Sequence, residues 1–234
     1  MKHSSIIPAA LVAVAIAILG FAIKGGLDNF ANRDRTVQVR GLCEKEVSAN
    51  KVTWPLVTKE MGNDLNAIYN KIQTNNASIL NFLKANGITD DEISVNPPEV
   101  YDQMAERYSS DDVRVRYKVT NVVVVTSNKV DLVRDLIKKQ TELLRQGIAV
   151  VAGDYNYQTT YEYTDLNSIK PEMIAEATAK AREAAEKFAA DSHSSLGKIQ
   201  SASQGQFSIS DRDQYTPQIK TVRVVTYINY QLEN

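Results

Sequence analysis

The sequence predicts an α+β protein, in which a domain of mixed sheets follows an apolar N-terminal helix. Residues 6–23 carry no charge, which sets them apart from the rest of the chain. From residue 36 onward, stretches with alternating apolar residues, typical of strands, are interspersed with stretches in which apolar residues recur every three or four positions, typical of helices. The resulting order contains about three helices in the domain, and its βαββαβ portion indicates two similar halves.

The N-terminal segment is predicted to cross a membrane. The 18 uncharged residues at 6–23 span roughly 27 Å as a helix, which is enough for a thin hydrocarbon core. The apolar part of a secretory signal is shorter, at about 7–15 residues. We therefore expect residues 1–24 to be an uncleaved single-pass signal anchor, residues 25–35 to be a linker, and residues 36–234 to form the domain.

The location of the domain follows from this segment. Long domains that follow an N-terminal signal are translocated largely regardless of their charge. We therefore expect the anchor in the cytoplasmic membrane and the domain in the periplasm. The alternative is a cleaved signal peptide with Gly20-Phe21-Ala22 as its cleavage site, which would release the domain into the periplasm.

The domain is predicted to open with two strands and a helix. Alternating valines predict a strand at residues 36–41. Residues 51–59 are strand-like too, but Pro55 has no N–H for a ladder, so we expect an edge position or a bulge there. A helix is predicted over residues 63–86, where one stripe carries Leu65, Ile68, Ile72, Ile79 and Leu83.

The middle of the chain predicts extended segments and a second helix. Residues 92–106 are extended and interrupted by Pro97-Pro98. The four valines at 122–125, within residues 114–126, are typical of a strand that is buried on both faces. A helix is predicted over residues 129–146, and its inner side carries Val130, Val133, Ile137 and Leu144.

The last predicted elements are a strand at 154–163, a helix at 170–191, and strands at 198–209 and 222–232. The helix offers a face of small residues for close packing, consisting of Ala177, Ala181, Ala184, Ala185 and Ala189. In the final strand, alternate residues share one face, and these are Val222, Val224, Thr226, Ile228 and Tyr230.

The composition argues against several classes of function. The 27 Lys and Arg residues balance 28 Asp and Glu residues, whereas a nucleic-acid-binding domain normally has a basic excess. With one Cys and two His, an intramolecular disulfide is impossible, and we expect neither a metal nor a cofactor. The sequence contains no HExxH, CxxC, GxSxG or GxGxxG motif, so we expect no enzyme.

Five segments carry the motifs of one known group of proteins. The opening strand Val37–Gly41, the stretch Ile79–Ile88, the strand start Tyr117–Asn121 and the terminal strand Val222–Leu232 each match in type and order. The most specific segment is Ala175–Ile199, where Ala-x-x-x-Ala-Arg-x-x-Ala-x-x-Phe-Ala is followed by Leu-Gly-x-Ile. In these features the chain resembles the SIMPL-domain family of bacterial envelope proteins.

The resemblance covers residues 36–232. It implies an α+β envelope domain, often oligomeric, that is linked in some bacteria to tolerance of oxidative stress. It carries over no catalytic residues. Many members have Pro-Asp shortly after the first strand, where this chain has Ala49-Asn50, and this difference affects only a turn.

Taken with the apolar segment, the resemblance predicts a non-enzymatic, membrane-anchored envelope protein. We expect it to bind the membrane through residues 6–23, to form homo-oligomers and to contribute to stress tolerance. The alternative to a partner of the same kind is a different, unidentified envelope protein.

Two alternatives concern individual side chains. Cys43 is a candidate redox thiol, because Lys45 lies on the same face of an extended strand and a nearby cation lowers a thiol pKa. The alternative interpretation of Cys43 is that it is a small, half-buried strand residue that serves only packing. In the strand predicted at 154–163, the odd-numbered tyrosines share a face and form a candidate ligand platform or interface. They are Tyr155, Tyr157, Tyr161 and Tyr163.

Overall fold

The computed structural model describes residues 6–31, 35–105, 114–151 and 155–233. In chain order its elements are α1 (Ile6–Ala31), β1 (Thr36–Ser48), β2 (Lys51–Gly62), α2 (Leu65–Ala85), a 3₁₀ turn (Asp90–Glu92), β3 (Ile93–Val95), β4 (Glu99–Asp102), β5 (Tyr117–Ser127), α3 (Val130–Lys139), α4 (Thr141–Arg145), β6 (Val150–Val151), β7 (Thr160–Glu162), α5 (Leu166–Asp191), β8 (Ser195–Gln204), β9 (Ser208–Asp211) and β10 (Ile219–Glu233). The mixed α+β class is confirmed.

The chain divides into two compact units. The first unit comprises residues 1–45, 167–208 and 222–234, and the second comprises residues 46–166 and 209–221. Each unit takes most of one sheet.

The sheet of the first unit is centred on β10. The strand order is β1-β10-β8, and β9 also pairs with β10. Every second residue of β10 from Lys220 to Tyr230 is buried, which confirms the predicted alternation. The core on this side of the sheet consists of Val37, Val39, Ala181, Ala185, Ile228 and Tyr230, with Leu196 and Leu232 packed against it.

Helix α5 covers that core with a stripe of alanines. Its buried residues are four positions apart, namely Met173, Ala177, Ala181, Ala185 and Ala189. Ala184, which was predicted to share this face, is exposed because the stripe follows the i+4 row alone. The helix starts at Leu166, four residues before the predicted start.

The sheet of the second unit is built on a long pair of strands. Its order is β3-β5-β2-β6, with β4 also pairing β5 and β7 also pairing β2. β2 and β5 pair without interruption from Val52 opposite Ser127 to Gly62 opposite Tyr117. Pro55 does not lie on an edge strand, since β2 is central in the sheet, and the pairing with β5 shows no bulge there. The expected edge exists only locally: among the described residues, β7 pairs with residues 51–53 and β6 with residues 57–58, and neither pairs with Pro55.

Helices α2 and α3 cover one face of this sheet. The core beneath them includes Trp54, Leu56, Ile79, Leu83, Val123, Val125, Val133 and Leu136. Asp64 caps α2, since its carboxylate accepts hydrogen bonds from the N–H groups of Asn66 and Ala67. The four helices α2–α5 of the described domain exceed the three that were expected.

The extra helix arises where the predicted helix over 129–146 breaks at Gln140. The N–H of Gln140 bonds to the carbonyl of Ile137, three residues back, and the N–H of Leu143 bonds to the carbonyl of Gln140. These tighter turns shift the helical phase by one residue. As a result Leu143 is buried, and Leu144, which was predicted to face inward, is exposed.

Helix α1 contains the whole of residues 6–23. Its described side chains, residues 11–26, are exposed, and they include Leu11, Ile16 and Phe21. Among the residues that the structure describes, we find no helix with both the length and the apolar character needed to span a membrane. The membrane anchor at residues 6–23 stays a prediction.

Candidate functional site

The environment of Cys43 is a packed contact between β1 and α5. The side chain has no solvent exposure, and its Sγ–H donates a hydrogen bond of 3.1 Å to Oε2 of Glu176. Lys45, the predicted activating cation, bonds instead to Glu172 at 2.8 Å. Lys180 bonds to Glu176 at 2.6 Å. Both nearby cations are thus engaged by carboxylates.

These surroundings keep the thiol protonated. Burial, followed by the hydrogen bond to the Glu176 carboxylate, raises the pKa of Cys43 to about 11. Because the thiolate is the nucleophilic form, a thiol with this pKa reacts slowly at neutral pH. The geometry favours the packing interpretation of Cys43.

The four predicted tyrosines do not share a strand face. β7 is only three residues long, Thr160–Glu162, so Tyr155, Tyr157 and Tyr163 lie outside a strand. Tyr155 is 87% exposed and belongs to a turn. Tyr161 packs against the apolar core of the second unit, and this burial raises its pKa.

Tyr157 points to a different feature of the second unit. Its hydroxyl donates a hydrogen bond of 3.3 Å to Oε2 of Glu99 on β4. Glu99 lines an open cavity of about 670 Å³ on the sheet. Tyr157 is half-buried and Tyr163 is half-buried as well.

The cavity is floored by two cross-strand rows. The register places Lys59 opposite Thr120 and Thr120 opposite Glu99, and it places Met61 opposite Lys118 and Lys118 opposite Tyr101. Directly paired residues point to the same face of a sheet. The two rows therefore combine two cations, a carboxylate, the hydroxyl of Thr120 and the large side chains of Met61 and Tyr101 on one face.

An apolar groove lies between α2 and β4. It has a volume of about 350 Å³ and is lined mainly by Leu65, Ile68, Tyr69, Ile72, Pro98, Val100 and Val119. Leu65, Tyr69 and Val100 are exposed. Exposed apolar side chains in one groove are typical of an interaction surface.

The first unit offers a third surface at the edges of its sheet. In the described part of the chain, β10 is the only strand that pairs with β1 or with β8, so each presents an open edge. β1 carries four charged residues, Arg40, Glu44, Lys45 and Glu46, whereas β8 carries only Lys198. Charges on an edge discourage pairing with another chain, so β8 is the less protected of the two edges.

Sequence reasoning missed the cavity, the groove and the edges. Each depends on which elements, distant in the chain, become neighbours in the fold.

Within the described ranges, no group of three or more His, Cys, Asp or Glu side chains is arranged to hold a metal ion.

The comparison with protein families agrees with the motifs. A family model named SIMPL, described as a protein of unknown function (DUF541), matches residues 37–226. The chain belongs to the SIMPL family. The match runs from β1 into β10, so it includes strands of both sheets and the helices α2–α5 and begins after α1. A search of curated proteins finds no match to the chain.

Proposed function

We propose that this SIMPL protein is a non-enzymatic envelope protein, tethered to the cytoplasmic membrane, whose domain self-assembles on the periplasmic side. In line with the family resemblance, the assembly contributes to tolerance of oxidative stress. The open edges of the first sheet carry this proposal.

The tether is supported by α1. An 18-residue uncharged segment with exposed Leu, Ile and Phe side chains is costly in water and favourable in lipid. Lys2 and Lys24, which flank residues 6–23, place charge at both ends of that segment.

Self-assembly is supported by the unpaired strand edges. An exposed edge offers a row of backbone N–H and C=O groups to another strand. A membrane anchor concentrates the copies in two dimensions, so a weak contact between domains is populated that would dissociate in dilute solution.

The experiment has two parts. In membranes that contain the full chain, an amine-reactive crosslinker should give a ladder at multiples of 26.0 kDa. Only the monomer band at every crosslinker dose would contradict self-assembly.

The second part tests the membrane anchor. After an alkaline wash the protein should stay in the membrane, and its intact mass should include residues 1–24. Loss of the segment through Ala22 would instead establish the cleaved signal peptide.

The cavity of the second unit favours a second candidate function, the binding of an amphipathic anion. Lys118 lies beside Met61 and Tyr101, so a carboxylate and an apolar chain would both find partners there. Calorimetry with a fatty-acid salt should detect binding that Lys118→Glu abolishes, with Lys198→Glu as the matched control on β8. Equal binding by both variants, or none by the parent chain, would eliminate this candidate.

A further inference from the structure

Strand β8 has an unusual arrangement on the α5 side of its sheet. Leu196 pairs with Leu232, Ile199 with Tyr230, and Ala202 with Ile228. Since Ile228, Tyr230 and Leu232 belong to the core beneath α5, their β8 partners face the same side.

The spacing of these three residues is symmetric about Ile199. Between Leu196 and Ile199, β8 uses three residues where the paired segment of β10 uses two. The same occurs between Ile199 and Ala202. Each step is a bulge that adds one residue to β8. The strand therefore has one bulge on each side of Ile199, each within three residues of it.

This symmetry makes the edge of β8 complementary to itself. When two copies of β8 pair antiparallel about Ile199, Ile199 lies opposite Ile199 of the second copy, and Leu196 lies opposite Ala202. In this register the bulged segment on one side of Ile199 lies opposite the bulged segment on the other side in the second copy. All three pairs are apolar and lie on the α5 side, so each contributes a favourable cross-strand contact.

The charges agree with this register. Lys198 is the one charged residue of β8, and in the symmetric pair it lies opposite Gln200. No like charges oppose each other, whereas pairing through β1 would have to accommodate four charged side chains. Ile199 is 54% exposed in the single chain, so apolar surface is available at the axis.

We propose that a second copy of this chain binds at β8, by antiparallel pairing of the two β8 strands about a two-fold axis at Ile199. The contact rests on the proposed self-assembly and identifies one interface of it. The two-fold axis is perpendicular to the sheet, so the two sheets join into one continuous sheet with both α5 helices on the same side.

A cysteine placed on the axis tests the register. In a Cys43→Ser background, the full chain with Ile199→Cys should form disulfide-linked dimers in membranes on mild oxidation. The matched control is Ile209→Cys, which replaces an Ile of similar exposure, 39%, on β9. The control should stay monomeric under the same oxidant.

A charge placed on the axis tests the contact without relying on disulfide geometry. Ile199→Asp brings two carboxylates together and should at least halve the yield of amine-crosslinked dimer, whereas Ile209→Asp should leave the yield unchanged. Because Ile199 is exposed, we expect both variants to keep the parent circular-dichroism spectrum.

The outcomes separate this contact from self-assembly in general. If the parent chain gives crosslinked oligomers but both Ile199 variants behave like their Ile209 controls, the β8 interface is wrong and self-assembly stands. If no variant and no parent sample gives any oligomer, both proposals are wrong.

Discussion

Gly41 on β1 lies directly against the backbone of Ala177 on α5. A Cβ atom added at Gly41 would overlap the carbonyl oxygen of Ala177 and would lie 2.6 Å from the backbone nitrogen of Ala181. Only glycine allows the helix to approach the strand this closely. The alanine stripe of α5 and Gly41 are thus two parts of one close contact between helix and sheet.

Replacing Gly41 should therefore destabilise the first unit. We expect Gly41→Ala to lower the free energy of unfolding by about 3 kcal/mol, the upper end for overpacking, because the obstructing atoms belong to the backbone. Urea denaturation followed by circular dichroism measures this. Gly25→Ala, which has no neighbouring atom within 4 Å, is the control and should lose nothing. Equal stability of the two variants would refute the close approach.

The thiol of Cys43 should be unreactive while the chain is folded. A pKa of about 11, against 9.0 for an ordinary thiol, lowers the thiolate fraction at pH 7 about 100-fold. We expect labelling by a disulfide reagent to be slower by about that factor in buffer than in denaturant, and to accelerate up to about pH 11. Cys43→Ser should retain full peroxide tolerance in cells that lack the native gene. Rapid labelling of the folded chain, or loss of tolerance, would contradict this prediction and support the redox hypothesis.

Glu92 gives the second unit a stability that depends on pH. Burial alone raises its pKa, but hydrogen bonds from Lys129, Ser127 and Thr89 outweigh burial and lower the pKa to about 2. A carboxylate whose folded pKa is depressed stabilises the protein above its ordinary pKa, and this contribution is lost as the pH falls towards the folded pKa.

We therefore expect Glu92→Gln to lower the free energy of unfolding by about 1–3 kcal/mol at pH 7. The difference from the parent chain should shrink between about pH 4.5 and pH 2. Urea denaturation at pH 7, 4 and 2.5 checks this, with the exposed neighbour Asp91→Asn as control. A difference that stays constant over this range would contradict the role of the charge.

A buried amide pair joins α2 to β5. Nδ2 of Asn121 donates a hydrogen bond of 2.7 Å to Oδ1 of Asn76, and both residues are buried. Asn121→Leu leaves the amide of Asn76 without this partner and should cost about 1–3 kcal/mol of unfolding free energy. Adding Asn76→Leu removes the unsatisfied group, so the double variant should be less destabilised than the sum of the single variants. A double-mutant cycle by urea denaturation tests this, and strict additivity would contradict it.

The amide pair also indicates what the sequence could and could not predict. Ile72 and Ile79 were correctly placed on the inner stripe of α2. Asn76 comes four residues after Ile72 and three residues before Ile79, so the same helical periodicity predicts that Asn76 faces inward. Its partner Asn121 is 45 residues away, and nothing local identifies that pairing.

Burial patterns within one strand were predictable because they depend on local hydrophobic patterns. β10 alternates as expected, and the valine run of β5 is buried on both faces, at Val122, Val123 and Val125. The positions of strands within the sheets were not predictable. Pro55 suggested an edge strand, yet β2 is central. Only the gap that the described parts of β6 and β7 leave beside Pro55 provides the local edge that a proline needs.

The prediction that four tyrosines share one strand face was wrong for a related reason. Alternating aromatic residues predicted a long strand at 154–163. Residue 154 lies outside the described residues, and among residues 155–163 only 160–162 pair with another strand, β2. The surfaces that carry the proposals, namely the cavity and the edge of β8, depend on strand order, which is set by contacts between distant segments.

Light scattering of the detergent-solubilised full chain over a wide concentration range distinguishes self-assembly from a permanent monomer. After subtraction of the bound detergent, we expect a protein mass that rises with concentration from 26.0 kDa to twice that value or more. A mass that stays at 26.0 kDa at every concentration would contradict it.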